Sequence, residues 1–198
     1  MKAEMSSSQP HRLYHPDNAP VGLVSGLASD RKHRFSKRTQ HSLNFLEGIG
    51  VEDDAHAGRF VRHRYLARYR PHMLNMRQVH LIPAELLDAL RREGEELGPG
   101  DIGENVLTVG LDLEIMPLGT ALRLGPEATV ELTGLRTPCV LIDRFRAGLK
   151  QKMIVAQQER PKFRCGVMAV VRRSGTVTIG DAIDVEFPAK PFNVLRAL

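Results

Sequence analysis

CGVMAVVRRSGTVTIGDAIDVEF, residues 165 to 187, is the stretch that decides the fold. Its three short β-rich runs, CGVMAVV, GTVTIG and AIDVEF, are joined across RRSG and across Gly180-Asp181, which predicts three successive strands with tight connections. Upstream, LDLEIMPLGTALRLG (111–125) and ATVELTGL (128–135) also read as β segments parted by Gly and Pro turns, and GPGDIGENVLTVG (98–110) as a glycine-rich loop running into a strand. MRQVHLIP (76–83) and VGLVSGL (21–27) add two more short strands. Two helices are expected. Pro83 opens AELLDALRREGEEL, where Leu86, Leu87, Leu90 and Leu97 fall near a 3.6 period. In RTPCVLIDRFRAGL, Thr137 serves as N-cap and Pro138 as first helical residue, which places Cys139 in the first turn. Many short strands with few helices predict a mainly β (α+β) chain, a mixed and nearly closed β-barrel with a few peripheral helices.

Around this frame, residues 1–18 are rich in Ser, Pro, His and Asn and read as a flexible tail, 19–190 as one domain, and 191–198 as a C-terminal tail. SDRKHRFSKRTQHS (29–42) reads as a basic surface loop, and LNFLEGIGVEDDAHAGRF (43–60) as turn and site chemistry more than helix or strand. With 198 residues and 42% hydrophobic content there is chain enough for a core. No apolar run approaches the roughly 20 residues of a membrane span, and the N-terminus has no signal-like apolar stretch, so a cytoplasmic location without membrane contact is expected. The two cysteines, Cys139 and Cys165, exclude a disulfide framework, a four-cysteine zinc site and a four-cysteine iron–sulfur cluster. A net charge of +5 favours phosphate-bearing partners.

Cys139 is the sharpest candidate, because Arg136 and a helix start both favour a thiolate there. A thiolate is a nucleophile or a soft metal ligand, although free cysteines are also often small buried hydrophobes. Cys165, in an apolar strand, reads as the latter, and His80 as a hydrogen-bonded structural residue. Asp53, Asp54, His56 and His63 match no strong metal motif. The segment 59–72 holds five arginines and two histidines without an acid and will not be buried unpaired. It offers a nucleic-acid surface, but the absence of Trp and the 5% aromatic content weaken that reading, and no nucleic-acid partner is expected. Gly100, Gly103 and Gly110 flank Asp101, Glu104 and Asn105 and offer donors to an anion without forming a P-loop or dinucleotide fingerprint.

Taken in order, GVEDDAH (50–56), RQVHLI (77–82), PGDIGENV (99–106), GLDL (110–113), TGLRTPC (133–139) and G-x-V-x-x-G-D-x-I (175–183) resemble the MOSC family, named for the C-terminal part of molybdenum cofactor sulfurases. The resemblance implies a β-barrel of mixed topology and a family cysteine, here Cys139, that carries sulfur or ligates molybdenum. In the reductase relatives, a pterin dithiolene and that thiolate hold the metal, which removes oxygen from N-hydroxylated substrates. Carried onto this chain, Cys139 is the metal ligand and a catalytic residue, with Asp54 and His56 at the same mouth. Lys37, Arg77, Gln78, Gly103, Glu104, Asn105, Arg136 and Thr137 are the cofactor-binding candidates. A persulfide carrier using Cys139 is the alternative function, and a basic nucleic-acid-binding barrel a third. The implied partners are a small-molecule substrate and an external electron-donor reductase, or a cofactor- or sulfur-delivery protein. Pyridoxal phosphate is not expected, because the domain that binds it in the sulfurases proper is lacking. Asp53 stands where the family usually has Gly, which would repel an anionic cofactor unless its carboxylate points away. Thr137 replaces the family's frequent Asn.

Overall fold

In a computed structural model, residues 21–62, 68–155 and 162–198 are described. The N-terminal tail, His63 and the middle of the arginine run lie outside them. The strands are β1 (Val21–Ser29), β2 (Arg38–Gln40), β3 (Ser42–Leu46), β4 (Gly50–Val51), β5 (Val79–Pro83), β6 (Val106–Val109), β7 (Ala121–Leu124), β8 (Ala128–Leu135), β9 (Ile154–Val155), β10 (Lys162–Phe163), β11 (Val167–Arg173), β12 (Gly175–Thr178) and β13 (Ala182–Glu186). The helices are α1 (Ala84–Arg92), α2 (Val140–Phe145) and α3 (Leu149–Lys152).

Seven strands close into a barrel in the order β1-β13-β7-β8-β11-β5-β6, with β6 returning to β1. Every pair in the ring is antiparallel except β5 with β6. That one parallel pair makes the topology mixed, because parallel neighbours need a long crossover, here α1 and the glycine-rich loop. Strand periodicity divides the interior into two cores. Val79 and Leu81 of β5 point into the barrel with Phe45, Leu122 and Leu132, while Ile82 joins Leu87 and Leu90 of α1, Ile142, Met153 and Cys165 in a second core under the helices.

Several elements differ from the sequence expectation. Ser42–Leu46 is a strand, paired with β12 and β4, and it buries Leu43 and Phe45 on alternate positions. The glycines and acids that follow it masked this short alternation. Helix α1 ends at Arg92, so Leu97 is buried beyond it, and Leu113–Ile115 forms a 3₁₀ turn where a strand was expected. Thr137 and Pro138 lie outside α2, whose N-cap is Cys139 in extended conformation. Residues 191–198 are docked against the barrel. The Leu135 N–H donates to the Arg196 carbonyl at 2.8 Å, the Leu198 N–H donates to the Leu135 carbonyl at 3.1 Å, and Leu195 is buried.

Gly166 shows how tightly β11 approaches β5. Its φ is +77°, and a Cβ there would lie 2.1 Å from the Leu81 carbonyl oxygen. Gly166→Ala combines a left-handed backbone penalty with overpacking, and a loss of roughly 3 kcal/mol is expected in urea unfolding.

Candidate functional site

The segments that follow β1 and β8 and those that precede β5 and β6 come together beside His80 of β5 and Met168 of β11, which are paired in register. A cavity of about 400 Å³ opens there. Lys37, His56, Arg77, Gly103, Asn105, Arg136, Thr137 and Cys139 of the sequence candidates line it, together with Arg34, Phe35, Val61, Arg62, Asn75, His80, Leu141 and Met168. Five cationic side chains thus face one space, and no Asp or Glu is among the residues lining it.

Arg77 and Arg136 are both half-buried. Burial, and then the neighbouring Arg136 charge, push the Arg77 guanidinium below its ordinary value. Like charges gathered in a partly dehydrated space favour an anionic ligand. Arg136 is fixed by its N–H to the Gly166 carbonyl at 3.0 Å and by its Nη1 at 2.6 Å from the Cys165 sulfur. Cys165 itself is fully buried, as its apolar context predicts, and burial pushes its thiol up. Cys139 is half-buried and opens on the cavity.

Lys37 is a correction to the surface-loop expectation. Its ammonium is buried, 2.7 Å from Asp54 Oδ2, and its backbone N–H donates to the Gly100 carbonyl at 2.8 Å. Burial pushes the Lys37 ammonium below its ordinary value, opposed by the Asp54 charge. Burial would raise the Asp54 carboxyl, but the His56 hydrogen bonds and the Lys37 charge outweigh it and hold the carboxyl well below the usual range. Asn105 Nδ2 donates to Asp54 Oδ2 at 3.1 Å, and the His56 N–H donates to Oδ1 at 2.9 Å. Asp54 therefore lies behind the cavity wall, holding Lys37, Asn105 and His56, three residues that do face it.

Gln78 and Glu104 do not line the cavity. Gln78 is buried, donating to the Gly48 carbonyl at 2.7 Å and accepting the Val171 N–H at 2.9 Å, so it ties β11 to the β3–β4 turn. Glu104 accepts the Gly100 N–H on Oε1, and its Oε2 is buried without a hydrogen-bond partner among the described residues. Burial pushes its carboxyl up. Thr137 Oγ1 donates to the Leu198 carbonyl at 3.2 Å, so this hydroxyl hydrogen is used by the docked C-terminal segment.

Asp53 has the single positive φ of a non-glycine residue among those described, +60°, a conformation glycine adopts without strain. Its side chain is exposed and paired with Arg31, on a second groove outside the cavity. The feared repulsion is thus avoided by direction. Among the described residues, no three His, Cys, Asp or Glu side chains form a group able to hold a metal.

Asn75, which sequence reading missed, braces the mouth. Its Nδ2 donates to the carbonyls of His56 and Gly58 at 2.9 and 3.0 Å, and its Oδ1 accepts the Arg77 N–H. His80 is buried, with Nε2 2.8 Å from the Cys165 carbonyl, in keeping with a structural role. Burial, followed by the Arg136 charge, holds His80 well below its ordinary value. The folded state therefore binds fewer protons than the unfolded chain. Stability should fall as pH drops below about 6.5, by up to about 1.4 kcal/mol per unit from this group. Urea unfolding between pH 7 and 5 checks this slope, and His80→Asn should flatten it.

The MOSC domain family matches residues 68–184 of the chain. The YuaD protein from Bacillus subtilis has a similar structure, with TM-score 0.64 and 22% identity over 85% of this chain and 97% of that one. YiiM from Escherichia coli gives 0.55 and 21% over 89% and 73%, and YiiM from Geobacillus stearothermophilus 0.59 and 17% over 88% and 80%. No curated protein matches the sequence. At these identities the structures share the barrel fold. Among the described residues no helix is long and apolar enough to cross a membrane.

Proposed function

The chain belongs to the MOSC domain family, and on that premise we propose that its cavity holds a molybdenum–pterin cofactor, with Cys139 as the metal's protein ligand, for the reduction of N-hydroxylated compounds. The observation that carries this reading is a half-buried thiol sharing one cavity with four arginines and no carboxylate. The donor set fits the group. Guanidinium forks match the oxygens of a phosphate, and thiolate sulfur suits a soft, redox-active metal. Arg77 and Arg136 would hold the phosphate, Gly103 and Asn105 the pterin's polar edge, and Phe35, Leu141 and Met168 would exclude water from its ring. When bound, the group supplies two-electron removal of oxygen from the substrate.

The chain's own residues set the conditions for that chemistry. Lys37 places a positive charge on the cavity wall, anchored by Asp54, and Arg136 fixes the segment that presents Cys139. Two cysteines cannot build a four-cysteine cluster, so electrons come from a separate reductase. The test is elemental analysis for molybdenum and extraction of a fluorescent pterin from protein made in cells that synthesise the cofactor. Near-stoichiometric metal is expected. Protein from such cells with neither metal nor pterin would overturn the reading.

The opening of Cys139 to the cavity also favours a second reading, a persulfide carrier that needs the thiolate but retains no cofactor. Intact-protein mass spectrometry separates the two, since the carrier shows a stable gain of one sulfur atom on Cys139.

A further inference from the structure

We propose that His56 is the proton donor to the departing hydroxyl of the substrate and that Asp54 is its positioning residue; this assignment rests on the cofactor reading above. His56 lines the cavity, its side chain 36% exposed, whereas Asp54 is fully buried behind it. The His56 Nδ1 lies 3.3 Å from Asp54 Oδ1, and the His56 backbone N–H donates to the same oxygen at 2.9 Å. An ionised carboxylate only accepts hydrogen bonds, so the ring nitrogen facing it must carry hydrogen. The Lys37 ammonium at 2.7 Å and the Asn105 amide at 3.1 Å hold the other carboxylate oxygen, so Asp54 is fixed as an anion and cannot rotate away.

The ring is thereby set in one tautomer, with Nδ1–H toward Asp54 and Nε2 on the opposite edge, free to exchange a proton with the cavity. Three further contacts hold this arrangement. Asn75 Nδ2 donates to the His56 carbonyl at 2.9 Å, the His33 ring stands edge-on with centroids 5.4 Å apart, and the Asp30 N–H reaches Asp54 Oδ2 at 3.4 Å. Of the other lining groups, a guanidinium is too weak an acid to donate, which sets aside all four arginines, the Lys37 ammonium is held on Asp54 at 2.7 Å, and His80 Nε2 faces the Cys165 carbonyl at 2.8 Å. Cys139, as the metal ligand, is not available for proton transfer. That leaves His56 as the lining residue suited to deliver a proton there.

The reaction it serves is R–NH–OH + 2e⁻ + 2H⁺ → R–NH₂ + H₂O. The N–O bond breaks and an N–H bond forms. The nitrogen is reduced by two electrons from the external reductase, and the oxygen leaves as water. Protonated His56 gives one proton from Nε2 to the departing oxygen. The second comes from solvent, which also reprotonates Nε2 through the exposed side of the ring.

Two measurements on the full chain test the assignment. In the ¹⁵N-histidine-labelled protein, long-range ¹H–¹⁵N spectra of neutral His56 should show the Nδ1–H tautomer, and Asp54→Asn should shift it toward Nε2–H. A wild-type Nε2–H tautomer would overturn the geometry. Independently, His56→Ala should retain molybdenum within about twofold of wild type but reduce an N-hydroxylated arylamidine about 100-fold more slowly, with partial rescue by added imidazole. A metal-loaded His56→Ala protein with wild-type turnover would overturn the proton-donor role alone. Absence of molybdenum from the wild-type protein would instead overturn the cofactor reading, and with it the reaction assigned to His56.

Discussion

Cys139→Ala is expected to lower bound molybdenum from near one per chain to less than a tenth of that, while the fold survives. The thiol is half-buried at the N-cap of a six-residue helix and makes no side-chain capping bond. Its truncation should cost less than about 1 kcal/mol, a shift of no more than about 2–4 °C in Tm. Cys165→Ala provides the opposite pattern. That side chain is fully buried against Met153 and Arg136, so its loss should destabilise by about 1–2 kcal/mol while leaving most of the metal in place. Metal content and thermal melts on both variants check the contrast. Equal metal retention in the two variants would remove Cys139 from the role of ligand.

Asp54→Ala should produce the larger loss of stability, about 3–5 kcal/mol in urea unfolding. It removes the partner of a lysine whose side chain is 4% exposed, and leaves one Asn105 amide N–H, its other held by the Ala28 carbonyl, and the His56 N–H without their acceptor. A buried cation without its counter-charge must either deprotonate or draw water into the wall. The double variant Asp54→Leu with Lys37→Met, which removes both charges and preserves volume, should recover most of the loss. The pH dependence has a definite sign. Because the folded-state Asp54 is held below its ordinary 3.8, its contribution is complete above that pH and is lost as pH falls further. Asp54→Ala should lose this part of the acid limb.

The barrel was legible because strand alternation survives in short segments. VMAVVRR, GTVT and AIDVE fold as three strands at the expected positions, and β8 follows ATVELTGL. The ordered blocks from GVEDDAH to G-x-V-x-x-G-D-x-I pointed to the family that residues 68–184 match. Helix boundaries were less legible. Thr137-Pro138 is a good helix opening by composition, yet the chain stays extended through Cys139, with Thr137 bonded to Leu198 and Arg136 bonded to Gly166. Those bonds come from residues 30 and 61 positions away, which local propensity does not register.

The sequence by itself determined which chemistry is present: one thiol beside an arginine, a histidine two residues after an aspartate, a glycine-rich loop and a surplus of positive charge. It also determined the seven barrel strands, since alternation and turn residues are local properties. Only the tertiary structure decided which of these residues meet. Closing the ring brought the segments after β1 and β8 beside those that precede β5 and β6, so Lys37, His56, Arg77, Arg136 and Cys139 share one cavity, while Asp53, one residue from Asp54, faces another groove. Gln78 and Glu104 adjoin lining residues in sequence but turn into the protein, Gln78 toward Gly48 and Val171 and Glu104 toward the Gly100 N–H. Whether a polar side chain faces a ligand or braces a wall is set by the partners it meets across the fold and by the register of distant strands, neither of which composition or motif spacing contains.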